Sequence, residues 1–83
     1  MNIEIYTKPG CPYCQRAKSL LQSKGLSFTE YDISVETEKE QEMRERSGRK
    51  TVPEIFFDDS LIGGCDDLMD LEQSGRLDSM VQD

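Results

Sequence analysis

Ile3-Glu4-Ile5-Tyr6-Thr7-Lys8-Pro9-Gly10-Cys11-Pro12-Tyr13-Cys14 joins a strand pattern to a helix pattern across a pair of cysteines. Ile3 to Thr7 has the alternation and β-branched content of a short strand, and Lys8-Pro9-Gly10 breaks it. Pro12 suits the first helical position, where a missing N–H leaves nothing unpaired that was not unpaired already. Helical spacing then carries an apolar stripe of Cys14, Ala17, Leu20 and Leu21 to about Lys24, and Gly25 supplies the stop. Leu26 to Asp32 reads as a second strand. Strand, helix and strand at this spacing make a βαβ unit with parallel strands and a right-handed crossover. Open sheets of this kind gather their chemistry at the carboxyl ends of the strands, and Cys11 falls there, at the start of a helix.

Two cysteines separated by two residues can close a small disulfide ring or attack another disulfide in turn, so the pair reads first as a redox motif. The unpaired N–H groups and positive dipole end of the helix favour a thiolate at Cys11, with Lys8 adding positive charge nearby in sequence. Cys14 lies one turn further in, with less benefit from the dipole. Attack is therefore assigned to Cys11 and resolution to Cys14. Zinc binding would need more ligands than a chain with no histidine and one further cysteine, Cys65, provides. A structural disulfide across so short a loop would add little stability.

Eighty-three residues are expected to form one domain over residues 1–83, near the size at which a single core suffices. With 35% apolar and 33% charged residues, a soluble globular fold is expected, and no apolar run approaches bilayer length. Glu4 interrupts any apolar leader, so export is not expected, and a CxxC pair then fits the reducing cytoplasm. A net charge of −7 opposes binding to nucleic acid or an anionic membrane. The cations Lys8, Arg16, Lys18, Arg49 and Lys50 nevertheless flank the segments assigned to the active face, where a small anion could be held.

From Val35 to Ser47 the chain is strongly charged, with Glu40 and Arg44, and Glu42 and Arg46, at i,i+4 spacing. This is a surface helix with thin apolar content, Val35 and Met43, expected to be the softest part of the frame and to carry no chemistry. Gly48 ends it. Glu54-Ile55-Phe56-Phe57 is a third strand, and Asp58-Asp59-Ser60 turns into a short antiparallel fourth, Leu61-Ile62. Pro53 is either a strand start that lacks a ladder donor or a cis proline that leaves backbone groups aimed at a ligand, and the residues alone leave both open. Gly63-Gly64 allows a sharp bend and close approach to the main chain. Asp66 or Asp67 can cap a helix beginning at Leu68, whose free N–H groups would suit a carboxylate. Leu68, Met69 and Leu71, then Leu77, Met80 and Val81 after a break at Gly75, cover the sheet. The methionines sit at the chain start and at core-filling positions and are given no ligand role.

Cys11-Pro12-Tyr13-Cys14 at a strand-to-helix junction, Thr51-Val52-Pro53 before a strand, and Gly63-Gly64-Cys65-Asp66-Asp67 before the last helical region occur in the order and spacing of the glutaredoxins. The chain resembles that family over essentially its whole length, most of all its small bacterial dithiol members. The resemblance implies an α/β, thioredoxin-like fold: a four-stranded mixed sheet in order 2-1-3-4 flanked by three main helices. It also implies glutathione as co-substrate, with no permanently bound cofactor and no metal. Cys11 would carry the mixed disulfide, with Tyr13 beside it, and Thr51 and Val52 would contact the cysteinyl backbone of glutathione next to a cis Pro53. Gly64, Cys65, Asp66 and Asp67 would receive the γ-glutamyl end, and Lys8 the glycyl carboxylate. The implied partners are glutathione and disulfide-containing or glutathionylated proteins, met by a monomer. Two other readings compete. A thioredoxin-like reductant recharged by a flavoprotein reductase is opposed by the dipeptide Pro12-Tyr13, and a dimeric iron–sulfur carrier by a proline directly after the first cysteine.

Overall fold

The computed structural model describes residues 1–81. Its elements run β1 (Ile3–Thr7), α1 (Pro12–Ser23), β2 (Thr29–Asp32), α2 (Thr37–Ser47), β3 (Glu54–Phe57), β4 (Ser60–Gly63), α3 (Cys65–Gln73) and α4 (Arg76–Val81). The four strands form one sheet in the order β2-β1-β3-β4, as expected. β1 runs parallel to β2 and antiparallel to β3, and β3 pairs antiparallel with β4. The C-terminal helical run divides at Gly75, whose positive φ of 78° ends α3 before α4 begins.

β1 is a central strand and every residue of it is buried. Its alternation therefore sorts side chains between two enclosed layers. On one side Ile3 and Ile5 join Ala17 and Leu21 of α1, Ile55 and Phe57 of β3, Cys65 and Leu68 of α3, and Leu77 of α4. On the other, Tyr6 packs with Ile33, Phe56 and Met43 of α2. α1 and α3 thus share a face, and α2 has the opposite one.

Three boundaries depart from the expected ones by two residues or more. β2 begins at Thr29; Leu26 and Phe28 before it pack against the main core without joining the sheet. α2 begins at Thr37, so Val35 lies outside it and is 76% exposed, leaving Met43 as the helix's one buried residue. α3 begins at Cys65, three residues ahead of Leu68, because the Asp67 carboxylate accepts the Gly64 N–H at 2.9 Å and closes the turn earlier. The β3–β4 turn is tight: Asp58 and Asp59 occupy it with φ of 48° and 69°, the positive signs that a two-residue turn needs to match strand twist.

Beyond the packing of Met43, what holds α2 is polar, and the sequence pattern did not show it. Arg46 donates from Nη1 to Glu4 Oε2 at 3.2 Å and to the Tyr6 hydroxyl at 2.7 Å, and from Nη2 to Glu4 Oε1 at 3.0 Å. Its guanidinium lies 3.9 Å from the centre of the Phe56 ring. The Tyr6 hydroxyl donates to Glu42 at 2.5 Å, and Tyr31 donates to Glu4 at 3.0 Å. A lone glutamate in an otherwise apolar strand is thereby paired from a neighbouring helix. Among the described residues, no helix is long and apolar enough to cross a membrane.

Candidate active site

Pro12 occupies the first turn of α1 and Cys11 is its N-cap, with an extended backbone. The Cys11 sulfur accepts the Cys14 N–H at 3.3 Å, the position a serine or aspartate oxygen takes in an ordinary cap. Cys11 is half-buried, whereas Cys14 is 1% exposed, on the inner face of the helix beside Ala17 and Leu21. Burial and the neighbouring Cys11 sulfur push the Cys14 thiol up to about 12, against an opposing backbone hydrogen bond from Lys8. The two cysteines therefore have different chemistry: one reaches solvent at the positive end of a helix, and the other is kept as a protonated thiol underneath it.

Beside this pair lies a groove of about 200 Å³ lined by Tyr13, Arg49, Thr51, Val52, Pro53, Gly64, Cys65, Asp66 and Asp67. Three separate segments build it. Tyr13, 54% exposed, projects from the first turn of α1. The Thr51–Pro53 segment enters β3 through a cis Val52–Pro53 peptide. The start of α3 supplies Gly64 to Asp67. Cys65 is buried at 5% exposure, and its thiol is raised by burial, then by Asp66. It packs in the main core cluster and also lines the groove.

Eight of the residues expected to meet a ligand are thus brought together. Lys8 is not among the lining residues, and Arg49, which was read only as a flanking cation, is. The N–H of Gly64 is not free either, since Asp67 holds it, so an incoming carboxylate would meet the N–H groups of the first helical turn beyond it. Glu54 was also missed. It is fully buried directly after Pro53, where its Oε2 accepts the Thr51 hydroxyl at 2.9 Å. Among the described residues, no three His, Cys, Asp or Glu side chains converge to hold a metal ion.

The bend into α3 depends on Gly63. Its φ is +119°, and a Cβ built there would sit 2.2 Å from Asp67 Oδ2. Gly63→Ala is therefore expected to turn Asp67 out of its cap, at a cost of about 1–3 kcal/mol in stability. Thermal denaturation checks this, and an unchanged midpoint would show that the cap is dispensable.

A family model described as Glutaredoxin matches residues 3–62. Glutaredoxin 3 of Escherichia coli K12 is 57% identical over 81 residues, covering 98% of this chain and 98% of its own. The solution structure of a glutaredoxin from Brucella melitensis superposes with a TM-score of 0.83 at 54% identity, over 98% of this chain and 88% of the other. The crystal structure of a buckwheat glutaredoxin–glutathione complex superposes with a TM-score of 0.87 at 28% identity, over 95% and 74%.

Proposed function

Because the chain belongs to the glutaredoxin family and so is a thiol–disulfide oxidoreductase, we propose that it uses glutathione to reduce protein disulfides and protein–glutathione mixed disulfides. The observation that carries this reading is the groove of Tyr13, Thr51–Pro53 and Gly64–Asp67 next to a half-buried cysteine at a helix start. A buckwheat relative was solved with glutathione, which supports the same ligand here. The Thr51–Pro53 main chain, which joins no strand, can pair with a peptide-like ligand, and the α3 start offers N–H groups to a carboxylate.

On a glutathionylated protein, the Cys11 thiolate attacks the glutathione sulfur and the protein leaves as a thiolate. A second glutathione thiolate then attacks the Cys11-bound sulfur, releasing oxidised glutathione and restoring Cys11. On a protein disulfide, Cys11 forms a mixed disulfide with one protein sulfur. Cys14 loses its proton, attacks Cys11 and frees the second protein thiol, leaving a Cys11–Cys14 disulfide for glutathione to reduce. Glutaredoxin couples lie at about −200 to −230 mV, within reach of a cytosolic glutathione pool, so we place the protein in a reducing cytoplasm as a monomeric domain over residues 1–83.

Mass spectrometry of the Cys14→Ser variant after treatment with oxidised glutathione tests the reading. A single glutathionyl adduct mapped to Cys11 is expected. An adduct confined to Cys65, or none, would overturn it.

A further inference from the structure

Arg49, the one cationic side chain lining the groove among the described residues, stands between two acids. Its Nη1 is 4.0 Å from Glu54 Oε1 and its nearest guanidinium approach to Asp67 Oδ2 is 3.7 Å. Both separations exceed hydrogen-bond length. Asp67 Oδ2 already accepts the Gly64 N–H at 2.9 Å. Glu54 is different: its side chain is 1% exposed, its Oε2 accepts from Thr51, and its Oε1 is buried with no donor among the described residues. A carboxylate oxygen in that condition is costly, and a donor brought to it is correspondingly favoured. The charged groups facing Glu54 are Arg49 on the loop before β3 and Asp67 on α3. Tyr6, its partner across β1, gives its hydroxyl to Glu42 and receives Arg46.

We propose that Glu54 is a positioning residue for the bound ligand: the buried seat onto which Arg49 moves when the cationic end of a γ-glutamyl group takes Asp67. This deepens the glutathione reading and rests on it. An ammonium at Asp67 repels the guanidinium, and Glu54 Oε1 is the acceptor within reach, a movement of about 1 Å bringing the two into hydrogen-bond range. The docked guanidinium then fixes the Thr51 segment from behind, through the carboxylate that holds the Thr51 hydroxyl.

A proton is linked to the movement. In the empty groove burial holds the Glu54 carboxyl above the ordinary carboxylate range, with the Thr51 hydroxyl and Arg49 acting against it. Arg49 docking favours the ionised form, so ligand binding shifts Glu54 toward release of its proton to solvent. Affinity for a glutathionyl group therefore rises with pH through the range in which Glu54 titrates in the empty protein, and levels off above it.

Initial-rate kinetics with a glutathionylated peptide at saturating glutathione, from about pH 5 to pH 9, test this on the wild type, Glu54→Gln, Arg49→Met and the double variant. The glutamine amide fills the same volume and its oxygen can still accept the Thr51 hydroxyl, so Glu54→Gln is expected to keep the wild-type melting temperature. It is expected to raise KM roughly 5- to 10-fold with kcat within about twofold, and to flatten the acid limb of the KM profile. Adding Glu54→Gln to Arg49→Met is expected to change KM no further, because the one acts through the other. An unaltered KM and pH profile in Glu54→Gln, effects that add in the double variant, or a fall in kcat and melting temperature with KM unmoved would each overturn the proposal. The glutathione reading is judged apart, by adduct formation at Cys11: with adducts intact in every variant and KM unmoved, the role of Glu54 alone fails.

Discussion

Replacing Cys11 with serine is expected to lower both deglutathionylation and protein-disulfide reduction by at least about 10³-fold, the scale on which a covalent enzyme loses its nucleophile. Cys14→Ser is expected to split the two activities. It leaves deglutathionylation within a few-fold of wild type, since that route uses Cys11 only, and removes reduction of protein disulfides, since the mixed disulfide at Cys11 then has no internal attacker. The expectation rests on a contrast in environment: Cys11 is half-buried and takes a main-chain N–H, while Cys14 is 1% exposed with its thiol pushed up to about 12. A group so placed is a poor first attacker at neutral pH and becomes competent when a mixed disulfide forms one turn away. Assays of the two variants on a glutathionylated peptide and on a protein disulfide decide it. Loss of both activities together in Cys14→Ser would refute the division of roles.

Arg46→Ala is expected to cost about 2–4 kcal/mol, lowering the melting temperature by on the order of 10–20 °C for a domain this small. The arginine supplies the donors to both oxygens of Glu4, whose side chain is 11% exposed, and its removal leaves that carboxylate facing the Tyr31 hydroxyl alone. The 22% exposure of the Arg46 side chain admits some water and keeps the figure below that of a fully sealed pair. Much of the cost is the stranded charge, so adding Glu4→Gln to Arg46→Ala is expected to recover part of it. A midpoint within about 2 °C of wild type for Arg46→Ala, in thermal denaturation followed by circular dichroism, would contradict this account.

The βαβ unit, the hairpin and the position of Cys11 at a helix start were legible because local signals agreed: a β-branched run, a proline at the first helical position, and glycines at helix ends; the sheet order came from the resemblance to the glutaredoxins. The motifs of the glutaredoxin resemblance, not local periodicity, named the eight groove residues that the fold collects from segments far apart in the chain. What escaped was long-range and polar. Glu4 and Glu54 are single charges in otherwise apolar strands, which is itself a sign that a partner comes from elsewhere, but spacing cannot say which. Arg46 satisfies the first from α2 across 42 positions, and its pairing with Glu42 at i,i+4 had pointed it toward water instead. Lys8 was given the glycyl carboxylate by the resemblance, and Arg49 was read only as a flanking cation. Only the folded loop before β3 puts one of them in the groove wall and leaves the other out. Val35 was assigned to α2 by its apolar character, yet the turn ahead of Thr37 leaves it in solvent.

The enclosure of Cys14 under the first turn of α1 also gives the proposed cycle a direction. No outside disulfide can open the sequence of events on the inner sulfur, so every client enters by the same door, and a client held by its own disulfide is discharged by a latch it never touches. Such an arrangement works as a turnstile: order comes from architecture, and a stalled client is let go from within however tightly its own surface grips the outer face.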